Sequence, residues 1–121
     1  MTPKFKSTLN HGFQITFQNG LTISVQYGKG NYCSRKDLNG IDFNEDLKTP
    51  IIESQTAEIM VWDESGEAVW LDQHDEVLGY LSTDDVANMI TLVSQAKQSG
   101  MVTPRMDLEA KLHKGKEWFG R

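Results

Sequence analysis

The residues best equipped for chemistry sit in one run, Tyr27-Gly28-Lys29-Gly30-Asn31-Tyr32-Cys33-Ser34-Arg35-Lys36, which carries three cations and no acid. Its two glycines let backbone N–H groups come close to a ligand. Lys29 and Arg35 supply charge for a phosphate, with Lys36 adjacent, and Ser34 and Asn31 supply directional hydrogen bonds. Tyr27 or Tyr32 could stack on a base. These types in this order point to an anionic, nucleotide-like ligand held by Tyr27, Gly28, Lys29, Gly30, Asn31, Tyr32, Ser34, Arg35 and Lys36. The GxxxxGK[ST] spacing of a P-loop is missing, and so is the helix that should follow it. The plainer reading of the same run is a tight connection whose glycines turn the chain and whose Tyr32 and Cys33 are packed.

Other constellations are weaker. Asp42, Asn44, Asp46 and Glu53 fall on ligand positions of a calcium loop, but Leu47 stands where the sharp turn needs glycine and Pro50 interrupts the loop. An acidic solvated loop fits better. Asp72, His74, Asp75 and Glu76 could hold a divalent ion or do acid–base work, as in a small hydrolase, yet no zinc-type histidine pair or Cys/His set accompanies them. Cys33 with His11 or His74 would make a thiol–imidazole pair only if the fold brought them together. No catalytic residue, metal site or cofactor is therefore assigned.

The elements that must position the loop are read from periodicity. Apolar residues alternate at Phe13, Ile15 and Phe17 and again at Leu21, Ile23, Val25 and Tyr27, the period of strands with one buried face. A three-residue loop, Gln18-Asn19-Gly20 with Gly20 left-handed, puts both rows on the same face, whereas a two-residue Asn19-Gly20 turn would split them. The hairpin therefore spans 13–27, and the loop 28–55 leaves it. A second hairpin of the same type spans 57–71, turning at Glu64-Ser65-Gly66 and pairing Val61 with Val69 and Ile59 with Leu71. Trp62 beside Ala68, and Met60 beside Trp70, make its other face apolar too. Two apolar faces mean either a central position in the sheet or an aromatic patch left for a partner.

A helix is predicted over 82–97: Ser82 is an N-cap, Asp84 and Asp85 suit the positive end of the dipole, and Leu81 can staple to Val86. Val86, Met89, Ile90 and Val93 form its apolar stripe, with Gly100 as a stop. A short helix over 104–114 follows Thr103-Pro104, and the tail 115–121 ends with Trp118 and Phe119. Those aromatics either dock on the core or, with Trp62 and Trp70, anchor a protein partner.

A chain of 121 residues with 38% hydrophobic and 24% charged content is one domain with one modest core. No run is long and apolar enough to span a membrane and no secretory h-region is present. The single cysteine suits a reducing compartment. A net charge of −5 argues against nonspecific nucleic-acid binding. Open sheet edges and surplus aromatics leave room for a homo-oligomer.

The segment Thr16 to Cys33, TFQNGLTISVQYGKGNYC, resembles one found in small bacteriophage accessory proteins, and the WD hairpin and the LSTDD helix start share a vaguer likeness. The resemblance implies expression in the cytoplasm of an infected host and an accessory or counter-defence role, and it supplies no catalytic motif. The expectations are thus a single α+β domain, a mainly antiparallel sheet of two β-hairpins with one long helix on a face and a short C-terminal helix. Function is expected to be non-enzymatic: stoichiometric sequestration of an anionic ligand by the 27–36 loop, with inhibition of a host protein through exposed aromatics as the alternative.

Overall fold

The computed structural model describes residues 2–9, 11–36, 48–69, 71 and 76–96. The short C-terminal helix, the tail with Trp118 and Phe119, Trp70, the calcium-type positions Asp42 to Asp46, and Asp72 to Asp75 lie outside the described residues.

The fold is α+β. Strands β1 (Lys4–Ser7), β2 (Gly12–Thr16), β3 (Thr22–Gln26), β4 (Ala57–Trp62), β5 (Ala68–Val69) and β6 (Val77–Leu81) form an antiparallel sheet in the order β1-β2-β3-β4-β5, with β6 also on β4. Helix α1 (Thr83–Gln95) follows and packs on β3, β4 and β6.

The first hairpin has the register that alternation demands: Phe13 faces Val25, Ile15 faces Ile23, and the Phe17 N–H donates to the Leu21 carbonyl at 2.8 Å. Gly20 takes a φ of +89°, the left-handed conformation that closes the three-residue loop. Residues facing each other across a ladder share a face of the sheet. Phe5, Ile15, Ile23, Val61 and Val69 therefore make one row, and Phe13, Val25, Ile59 and Leu78 the next. Met89, Leu92 and Val93 of α1 are buried in one cluster with the central members of those rows. Burying such aliphatic side chains contributes about 1.5–3 kcal/mol each.

The second hairpin departs from expectation after its turn. Val61 pairs with Val69 and Trp62 with Ala68, but β5 stops at Val69, and Ile59 pairs with Leu78 rather than Leu71. The reason is competition for one edge. With β3 on its other side, β4 shares this edge between β5 at its C-terminal end and β6 along Ala57 to Met60. A bulge at Gly79-Tyr80 lets β6 re-enter register, and Tyr80 accordingly has a φ of +56°. β4 is thus central, and Trp62 is half-buried opposite Thr22.

Helix α1 begins as the sequence requires. Ser82 accepts from the Asp85 N–H at 3.2 Å while the Asp85 carboxylate accepts from the Ser82 N–H at 3.1 Å, a reciprocal cap. It ends at Gln95, earlier than Lys97, with Ala96 extended. The stripe also turns slightly: Leu92 is buried, and Val86 and Ile90 flank the core.

The turn after β4 is closed by an aspartate. Asp63 Oδ1 accepts from the Ser65 hydroxyl at 2.6 Å and from the Ser65 and Glu67 N–H groups. These bonds, the Ser65 hydroxyl first, hold the Asp63 carboxyl below its ordinary range against a smaller opposing effect of burial. A carboxyl depressed in the folded state stabilises above its unfolded pKa, and that contribution is lost as pH falls through the folded value. Asp63→Asn is therefore expected to flatten the acid limb of a stability–pH profile below the ordinary aspartate range while leaving the neutral region parallel to wild type. An acid limb of unchanged steepness would refute the assignment.

Candidate ligand-binding cleft

The 27–36 loop is held to the sheet by its own polar groups. Asn31 Oδ1 accepts from the Gly28 N–H at 3.0 Å, and its Nδ2 donates to Glu58 Oε1 at 2.9 Å. The Tyr32 N–H donates to Glu58 Oε2 at 2.9 Å, and the Tyr32 carbonyl accepts from the Tyr80 N–H at 2.8 Å. Ser34 meets Thr56 through both its N–H and its hydroxyl, each at 2.8 Å. Lys29, Arg35 and Lys36 each have interactions within the chain. Lys36 Nζ lies 5.5 Å from the centre of the Tyr32 ring, a cation–π distance.

The glycines serve packing. A Cβ on Gly28 would lie 2.5 Å from His11 Cγ, so the close approach that glycine permits is to the buried imidazole of His11. Gly30, at a φ of +93°, turns the chain in open space. Buried Cys33 directs its Sγ to the Gly28 carbonyl at 3.4 Å, the packed-thiol outcome. In this arrangement the Gly28 N–H and the polar groups of Asn31, Tyr32 and Ser34 bond to Glu58, Thr56 and the loop itself. Glu58 is the main anchor, and Glu58→Gln, which keeps one acceptor and removes the charge, is expected to cost about 1 kcal/mol. Faster hydrogen exchange at the Tyr32 amide would report it, and unchanged exchange there would contradict it.

What the loop braces is a wall. Arg35 Nη1 donates to the Glu53 carbonyl at 3.1 Å, and Ser34 holds Thr56. The segment between them lines an open cleft of about 400 Å³, closed on its other sides by Val25, Tyr27, Leu81, Thr83 and Val86. That volume lies within the range of small-ligand sites, about 300–1,000 Å³. Apolar groups dominate: Val25, Ile52, Ala57, Leu81 and Val86. Tyr27, Ser54, Thr56 and Thr83 add hydroxyls, and Gln55 an amide. A smaller hollow of about 260 Å³ shares Tyr27 and Ile52 with it and is rimmed by Leu9 and Ile51, which are exposed.

Charge around the cleft is mixed, with the Arg35 guanidinium at the Glu53 carbonyl. Glu53 is the charged residue of the lining, and Asp84 and Asp85 occupy the first turn of α1 beside Thr83. The lining is mostly apolar, with one carboxylate among its side chains.

Of the residues expected to bind a ligand, Tyr27 lines the cleft, and Ser34 and Arg35 support its wall. Gly28, Lys29, Gly30, Asn31, Tyr32 and Lys36 do not line it. Trp62, the aromatic anchor that falls among the described residues, is half-buried. Glu76 is exposed, and among the described residues no group of three or more His, Cys, Asp or Glu side chains is placed to hold a metal. Among the same residues no helix is long and apolar enough to cross a membrane. The sequence reading missed Ile52 to Thr56, Thr83 and Val86, which become neighbours only when the irregular 48–56 segment folds beside the start of α1.

Compared with known proteins, the chain matches no family model, no curated protein and no solved structure.

Proposed function

We propose that this chain acts by stoichiometric binding, as an accessory protein of the phage kind its first hairpin resembles. Its ligand is a small uncharged or cationic molecule with an apolar or aromatic body, held in the cleft between Tyr27 and Val86. One observation carries the reading: the polar loop spends its hydrogen bonds on bracing an apolar, ligand-sized hollow. Tyr27 offers a ring for stacking, and the Thr83 hydroxyl and the Gln55 amide stand in the lining to orient a polar group.

The test is thermal stabilisation by a panel of planar neutral and cationic compounds, with nucleoside phosphates as the opposing arm. A ligand of the first kind should raise Tm in proportion to the logarithm of its concentration. Val86→Trp, which fills the hollow from the half-buried flank of α1, should remove that rise while a denaturant titration shows the fold intact. Stabilisation by a nucleoside phosphate that Lys29→Ala or Arg35→Ala abolishes would overturn this reading in favour of an anion site on the loop.

A further inference from the structure

Strand β1 ends the sheet, and all four of its residues, Lys4, Phe5, Lys6 and Ser7, are exposed. Among the described residues no strand pairs with its outer edge. Which backbone groups face outward follows from the ladder. In β2 and its flanks, Phe17 and His11 bond towards β3, through Phe17 N–H to Leu21 and Tyr27 N–H to the His11 carbonyl, so odd-numbered residues point that way. Gly12 points the other way, its carbonyl accepting from the Thr8 N–H at 3.1 Å. Lys4 and Lys6, opposite Thr16 and Gln14, therefore bond into the sheet, and the N–H and C=O groups of Phe5 and Ser7 point out of it.

We propose that this edge docks an extended peptide segment of a partner protein with the alternation acidic, apolar, acidic. Such a strand would take main-chain bonds from Phe5 and Ser7, the strand-addition mode of recognition. Its apolar side chain would lie beside Phe5, which is 84% exposed on the face shared with Ile15, and its acids beside Lys4 and Lys6 on the opposite face. Charge selects the partner. A second copy continuing the sheet with both helices on one face would set lysine against lysine, so the same residues that recruit an acidic strand discourage self-pairing. The chain's net charge of −5 acts over a longer range and is screened within about 8 Å at physiological salt.

The experiment titrates the full chain with capped Glu-Val-Glu-Val-Glu and Lys-Val-Lys-Val-Lys peptides, reading binding by fluorescence anisotropy and site by amide hydrogen exchange. The acidic peptide should bind and slow exchange at Phe5 and Ser7, leaving Lys4 and Lys6 as they were. The double variant Lys4→Glu, Lys6→Glu should weaken the acidic peptide by about tenfold or more and gain affinity for the basic one. Its changes are on exposed side chains, so the fold is retained and the cleft provides an independent check. Equal binding of both peptides, binding without slowed exchange at Phe5 and Ser7, or self-association that the double variant disperses would overturn the proposal.

Discussion

Gly12→Ala is expected to destabilise the protein by about 3 kcal/mol or more, read as a shift in the urea midpoint. Gly12 lies at the start of β2 with a φ of +157°, pressed against β3. A Cβ there would overlap the Val25 carbonyl oxygen and stand 2.9 Å from Val25 C and 3.0 Å from Gln26 Cα. All three atoms are backbone, so no rotamer change relieves the overlap and the strands must separate. The separation falls where the Tyr27 N–H meets the His11 carbonyl at 2.7 Å, which is also where the loop leaves the sheet. Ligand binding at the cleft should weaken along with stability, since Tyr27 is displaced. Gly30→Ala is the control: its Cβ meets nothing within 4 Å, leaving only backbone strain of about 1 kcal/mol. Equal losses for the two variants would show that the close approach at Gly12 is unimportant.

Asn19→Asp is expected to cost about 2–3 kcal/mol, because Asn19 closes the far end of α1. Its Nδ2 donates to the Val93 and Ala96 carbonyls, each at 2.8 Å, and its Oδ1 accepts from the Leu21 N–H at 3.0 Å. Helix C-termini leave carbonyls without intrahelical donors, and α1 has no basic residue in its last turn to meet them. Aspartate keeps the bond to Leu21, loses the donor and puts a negative charge at the negative end of the helix dipole. Asn19→Ala removes the side-chain bonds without adding the charge and should cost less. If the aspartate variant proves no worse than alanine, the dipole contribution is absent.

These residues also mark how far the sequence could be read. The first hairpin was legible to the register, because a three-residue loop alone reconciles Phe13, Ile15 and Phe17 with Leu21, Ile23 and Val25. The start of α1 was legible because Ser82 and the acids behind it make a local cap. Asn19, by contrast, reads as turn chemistry, and nothing nearby announces that its amide serves a helix end 77 residues later. β1 was missed because an exposed edge strand, Lys-Phe-Lys-Ser, has no buried face to impose a pattern. β6 was missed because its bulge at Gly79-Tyr80 breaks the period of two. At the loop, Asn31 and Ser34 are hydrogen-bonding types and do bond, but types do not reveal partners. Glu58 and Thr56 lie beyond an irregular stretch, and only the fold brings them to Asn31, Tyr32 and Ser34.

Asn19 also ties the order of synthesis to the order of assembly. During translation the tip of the first hairpin emerges well before Val93 and Ala96 leave the ribosome, so its amide must wait in water until a partner 74 residues later is made. Among the described residues, the clasp between hairpin and helix is therefore one of the last long-range contacts to become available during synthesis. A chain stalled before Val93 would lack it altogether.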